Sequence, residues 1–119
     1  MLLADCSRGR FLVRLRQAGP EFDPAKPLTE QSGWEEHAAY MDSLVDDGHI
    51  ILGGTLPNGA TAHAFDAESE EEVRAIWARD PWHQTHLILE SVEPWTIRLA
   101  THELHQPTTK GSRSDEHRT

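Results

Sequence analysis

A histidine and an aspartate, His37 and Asp80, occupy positions where the surrounding pattern asks for apolar side chains. In WEEHAAYMDSLVDDG, residues Trp34, Ala38, Met41, Leu44 and Val45 recur at helical spacing, and His37 falls on the same stripe one turn before Met41. In ESEEEVRAIWARDP, Val73, Ile76 and Trp77 define a second stripe that continues to Asp80. Both polar groups are therefore expected to point at the core, where an unpartnered one costs on the order of 1–3 kcal/mol. A histidine–carboxylate pair satisfies both at once. Its chemistry is acid–base: an imidazole can take and return a proton near neutral pH, while a carboxylate on its other nitrogen sets the tautomer and supports the imidazolium. Such a pair suits removal of a proton beside a carbonyl, followed by loss of a leaving group or reprotonation elsewhere. The same pattern also fits a purely structural hydrogen bond that orders the core.

Covalent catalysis has little support, because Cys6 lies outside the core pattern and no serine stands in a nucleophile-elbow context. His83 and His86 are three apart and His63 sits mid-strand beside Thr61 and Phe65, but there is no HExxH and no cysteine pair, so no metal is expected. Trp82, adjacent to the Asp80-Pro81 corner and outside the helix, suits a pocket wall against a flat organic ligand, with His63 and His86 as further candidate substrate-binding residues. Arg14 and Arg16 alternate off the apolar face of the first strand, as solvated or interface charges or as an anion contact.

At 119 residues the chain is expected to form one domain. A formal charge of −9, with no basic stripe, argues against nucleic acid and against an anionic membrane surface. A single cysteine excludes an intramolecular disulfide and suits a reducing cytoplasm. The opening MLLADCSRGR carries too short an apolar run for a signal peptide, and no stretch approaches the roughly 20 apolar residues of a membrane span, so a cytoplasmic protein is expected.

These side chains must be positioned by a domain spanning about residues 11–100, between an N-terminal extension (1–10) and a polar, disordered tail (101–119). Alternation over 11–16 predicts a strand, and the proline-rich stretch 17–31 a long loop of the kind that often serves function. Ser32 with Glu35 forms a capping-box pattern that opens a helix ending at Gly48. Residues 49–52 and 61–65 read as a hairpin around Pro57-Asn58-Gly59. Ser69 with Glu72 is a second capping box, Pro81 stops that helix at Asp80, and 87–99 supplies the last strand, interrupted at Pro94. The order β-α-β-β-α-β is the split βαβ arrangement of ferredoxin-like domains, an α+β fold with both helices on one face of an antiparallel sheet. The other face would leave Leu12 and part of the last strand in water, so a homodimer is expected.

Three segments, HAAYMDSLVDDGHIILGG, AHAFDAESEEEVRAIWARDPW and ESVEPW, together resemble the YCII-related domain family over residues 11–97. They share a histidine in the first helix, a glycine-containing strand end, a phenylalanine-acidic strand end before an ESxEE helix, an Asp-Pro-aromatic element and a closing Val-x-Pro-aromatic. The resemblance implies a dimeric α+β barrel whose active centre is a histidine and an aspartate, carried here by His37 and Asp80. It also implies elimination or isomerisation of small cyclic compounds, including dehydrochlorination, without a cofactor. A lyase or isomerase acting through a His-Asp dyad is one expectation, and a non-catalytic small-ligand-binding or accessory domain is the other. A cofactor-free monooxygenase of related fold would need an electron-rich substrate and an oxygen path. One geometric expectation accompanies these readings: with the two helices running in the same direction, His37 and Asp80 would be offset by about 15 Å along the helix axis.

Overall fold

The computed structural model describes residues 9–101, and the chain folds into an α+β layer structure with a four-stranded antiparallel sheet and two helices. Strand β1 (Gly9–Gln17) begins two residues earlier than its alternation suggests, because Arg10 is held by an ion pair with Asp66 on the neighbouring strand. After a loop carrying a short 3₁₀ turn (Leu28–Glu30) come α1 (Trp34–Asp46), β2 (Ile50–Thr55), β3 (Ala60–Ala67), α2 (Glu70–Ala78) and β4 (Leu87–Pro94). The strands lie in the order β2-β3-β1-β4, an arrangement compatible with a ferredoxin-like fold. The last strand stops at Pro94 and does not run to Leu99. Cys6 and nearly all of the expected tail lie outside the described residues.

Period-two alternation divides the sheet into two faces. Phe11, Val13 and Leu15 of β1 stand opposite Phe65, His63 and Thr61 of β3, and this face packs against Leu44 of α1 and Val73, Ile76 and Trp77 of α2 in one buried cluster. Both helices therefore cover the same side. The other face carries Leu12, Arg14, Ala62 and Ala64, with the Arg10–Asp66 pair at 2.6 and 2.9 Å and an exposed Arg16–Glu90 pair at its margins. These contacts place Arg14 and Arg16 away from the helices, on the exposed side of β1.

Strand pairing decides the direction of the helices. β1 and β2 are each antiparallel to β3, so they are parallel to one another and α1 must run back between them. β4 opposes β1 and so follows β3, which sends α2 the other way. The helices are antiparallel, and the axial offset expected between His37 and Asp80 does not exist. Tyr40, one turn after His37, meets Ile76, one turn before Asp80, through a 2.6 Å hydrogen bond from its hydroxyl to the Ile76 carbonyl. The start of α1 thus lies beside the end of α2.

The two capping-box patterns fold differently. Ser69 caps α2, its hydroxyl accepting from the Glu72 backbone N–H at 3.1 Å while the Glu72 carboxylate accepts from the Glu68 N–H. In α1 the capping residue is Gly33, at φ +78°, and Ser32 does not cap. Its hydroxyl is instead bonded to His86 at 3.0 Å, and its carbonyl accepts from the indole N–H of Trp82 at 2.9 Å. A tertiary contact has displaced the local one.

Candidate active site

The inward turn of His37 and Asp80 produces the contact that their positions suggested. His37 Nδ1 donates to the Asp80 carboxylate, with its two oxygens at 2.9 and 3.0 Å, and both side chains are buried. Asp80 is itself set by the corner after α2: its Oδ1 also accepts from the Trp82 backbone N–H at 3.0 Å, closing a turn across Pro81. Because Nδ1 carries the proton that faces the carboxylate, the neutral His37 ring presents Nε2 as its acceptor.

Trp82 holds the plane of that ring. Its indole lies face to face with His37, the centroids 4.1 Å apart and the planes within 6°. His86 stacks on the same indole at 4.7 Å and 19°. His86 is fully engaged, with Nε2 bonded to the Ser32 hydroxyl at 3.0 Å and Nδ1 to the Thr85 hydroxyl at 2.9 Å. His86 therefore helps to hold Trp82 and does not line the cavity. The long loop is tied to the same corner by Ala18 N–H to His86 O at 3.1 Å and Glu21 N–H to Thr85 O at 2.9 Å. Within the loop, the buried amide of Gln31 bonds Asp23 and Lys26 backbone groups, so this segment is a fixed wall.

A cavity of about 300 Å³ opens where α1 leaves the β2–β3 edge of the sheet uncovered. His37, Trp82 and His63 are all on its wall. Trp34, Met41 and Val45, apolar positions of α1 that suggest core, also line it, which explains why Val45 is 37% exposed and the other two only partly buried. β2 forms the outer rim, with Leu52 half exposed. No lysine or arginine is on the wall, and its one carboxylate is Asp42.

His63 rests across Gly53 of the paired strand. A β-carbon at Gly53 would fall inside van der Waals contact of the imidazole, so only glycine leaves room for the ring there. On its other side the ring meets Trp77 at 5.0 Å, tilted by 59°. Burial, and secondarily the charge of His37, push its pKa down to about 4, so His63 is neutral at physiological pH. Neither of its nitrogens has a partner among the described residues; Nδ1 is sealed from solvent, which leaves Nε2 toward the cavity. Thr61 Oγ1 and Trp77 Nε1 are likewise sealed and unpaired. Three of the four such side-chain atoms among the described residues thus belong to this wall, a concentration that folding alone does not reward.

Neither Gly53 nor Ser32 was signalled as a site residue by its own type. Gly53 could have been found from the glycine pair facing a mid-strand histidine, whereas Ser32 carries a local helix-start signal that hides its tertiary role. His83 is half-buried and makes a backbone bridge to Leu87. No group of three or more histidine, cysteine or acidic side chains gathers to hold a metal among the described residues. No helix among them is long and apolar enough to cross a membrane. Comparison with models of known protein families gives no match, and no curated protein is significantly similar to the chain.

Proposed function

We propose that this protein is a small, cofactor-independent enzyme that uses His37 as proton shuttle and Asp80 as its orienting partner in elimination or isomerisation of a small cyclic organic compound. The observation that carries the reading is the buried His37–Asp80 pair, bonded at 2.9 Å through Nδ1, whose histidine stands on the wall of a cavity of about 300 Å³. A carboxylate on Nδ1 leaves Nε2 as base and offsets the charge the ring acquires on taking a proton. The flat stack on Trp82 holds the ring in one plane, which preorganises the proton transfer.

The strand order and the antiparallel helices support a split βαβ, ferredoxin-like domain, the sequence motifs suggest the YCII-related kind, and we propose that it pairs as a homodimer in the cytoplasm. The dimer reading rests on the uncovered sheet face, where Leu12, Ala62 and Ala64 would allow close approach of a second sheet. A non-catalytic ligand-binding domain is the second reading. It is favoured by the largely aromatic and aliphatic wall of the cavity, which would hold a small molecule whether or not it reacts.

Turnover of a panel of cyclic enones and halogenated lactones, followed by NMR, tests the enzyme reading. His37→Asn is expected to abolish turnover with the fold intact, and Asp80→Asn to reduce it at least a hundredfold, the two changes combining non-additively because they disable one unit. A His37→Asn protein with full activity per folded molecule would overturn the assignment.

A further inference from the structure

We propose that His63 is the hydrogen-bond donor that holds the carbonyl oxygen of a small, uncharged carbonyl compound in the cavity it shares with His37. The inference builds on the reading of His37 as base and names the class of compound that base would act upon.

Two histidines line one cavity, and their surroundings give them different roles. His37 has a carboxylate on Nδ1, which makes its Nε2 an acceptor. His63 has no carboxylate and no partner on either nitrogen, and it is buried among Trp77, Gly53 and the sheet. Burial keeps it uncharged, so its Nε2–H can donate without carrying a counter-charge into the cavity. A neutral imidazole donor matches a carbonyl oxygen. The wall offers no lysine or arginine to an anion, and Asp42 at the rim would repel one. Its remaining surface is mainly aromatic and aliphatic, which suits an uncharged ring.

The chemistry balances without a co-reactant. His37 Nε2 takes a proton from the carbon beside the carbonyl, the C–H electron pair moves into the new C=C bond, and charge accumulates on the oxygen bonded to His63 Nε2–H. Return of the proton from His37 restores the carbonyl or its isomer. His63 thereby stabilises charge where it develops.

The test uses the full chain and three matched probes: 1-tetralone, the carbonyl-free tetralin, and the anion 1,2,3,4-tetrahydro-1-naphthoate. Binding is followed by NMR, and exchange of the tetralone C2 proton is followed in D₂O. 1-Tetralone should bind at least about fivefold more tightly than the other two, the discrimination worth one hydrogen bond. His63→Phe should bind tetralin as before and lose the preference for tetralone, while His63→Gln, which retains a donor, should keep part of it. Should the phenylalanine variant not fold by circular dichroism, His63→Leu serves in its place. His37→Asn should abolish proton exchange and keep the preference. Equal binding of tetralone and tetralin, a preference that survives loss of His63, preferred binding of the anion, or no binding of any probe would each overturn the proposal. A His63-dependent preference with no exchange by the wild type would sustain the donor role of His63 and count against His37 as base.

Discussion

His63 is carried into the fold uncharged, its pKa lowered from 6.5 to about 4 by burial and then by the charge of His37. Between these values the unfolded chain binds a proton that the folded one does not. This contribution to stability is therefore complete above about pH 6.5 and is lost as the pH falls toward 4, amounting to about 3 kcal/mol at the lower limit. Urea unfolding at about pH 7 and pH 4 should show the loss, and His63→Phe should show a smaller one by that amount. An unchanged difference would mean that the ring is not excluded from protonation. At this scale much was legible in the sequence: His37 and Asp80 betrayed themselves as polar residues on apolar stripes. Gly53 did not, because what it accommodates is a side chain on another strand.

At the scale of elements, Ser32 and Ser69 carry the same local signal and have different fates. Ser69→Ala should cost about 1 kcal/mol by removing a helix cap, with the cavity unaltered. Ser32→Ala should leave the helicity of α1 unchanged, since Gly33 and not Ser32 occupies its cap, but should leave His86 Nε2 unpaired and loosen the stack behind His37. Thermal unfolding with far-ultraviolet circular dichroism for helicity and near-ultraviolet for the aromatic stack separates the two: a helicity loss in Ser32→Ala would contradict this assignment. The helix and strand segments were legible from periodicity and from the Ser69 and Pro81 boundaries, whereas Pro94 ends the last strand that was expected to continue past it. The choice between capping and tertiary bonding at Ser32 was not, because its partner is 54 residues away. The opposed run of the helices is already contained in the β-α-β-β-α-β order: each helix returns against the strand before it, and β1 and β3 are antiparallel, so a shared direction is inconsistent with that order.

For the whole molecule, the split between faces carries the expectation of a dimer. One face of the sheet is closed by both helices, whereas the other carries the exposed Arg14 and the partly exposed Leu12 and Ala62 beside the Arg10–Asp66 pair. Sedimentation at micromolar concentration should find two chains per particle, and a monomer would remove the proposal. Arg14→Glu, placed at the middle of that face, should shift the equilibrium toward monomer while preserving the cavity on the opposite side. The apolar stripe of α1 shows where periodicity stops being informative at this scale. Trp34, Met41 and Val45 repeat as core residues do, and whether such a stripe meets protein or a hollow depends on how far α1 stands from β2.

The indole of Trp82, stacked with His37, gives the protein an optical property. An imidazolium quenches an adjacent excited indole by accepting an electron, and a neutral imidazole does so far less. At 4.1 Å from His37, Trp82 should emit more weakly once that ring is protonated, so acid titration of tryptophan fluorescence reports the state of His37 without a substrate. The quenching step should disappear in His37→Asn and persist in His63→Phe. The stack that holds the His37 ring in place thus also makes its protonation visible.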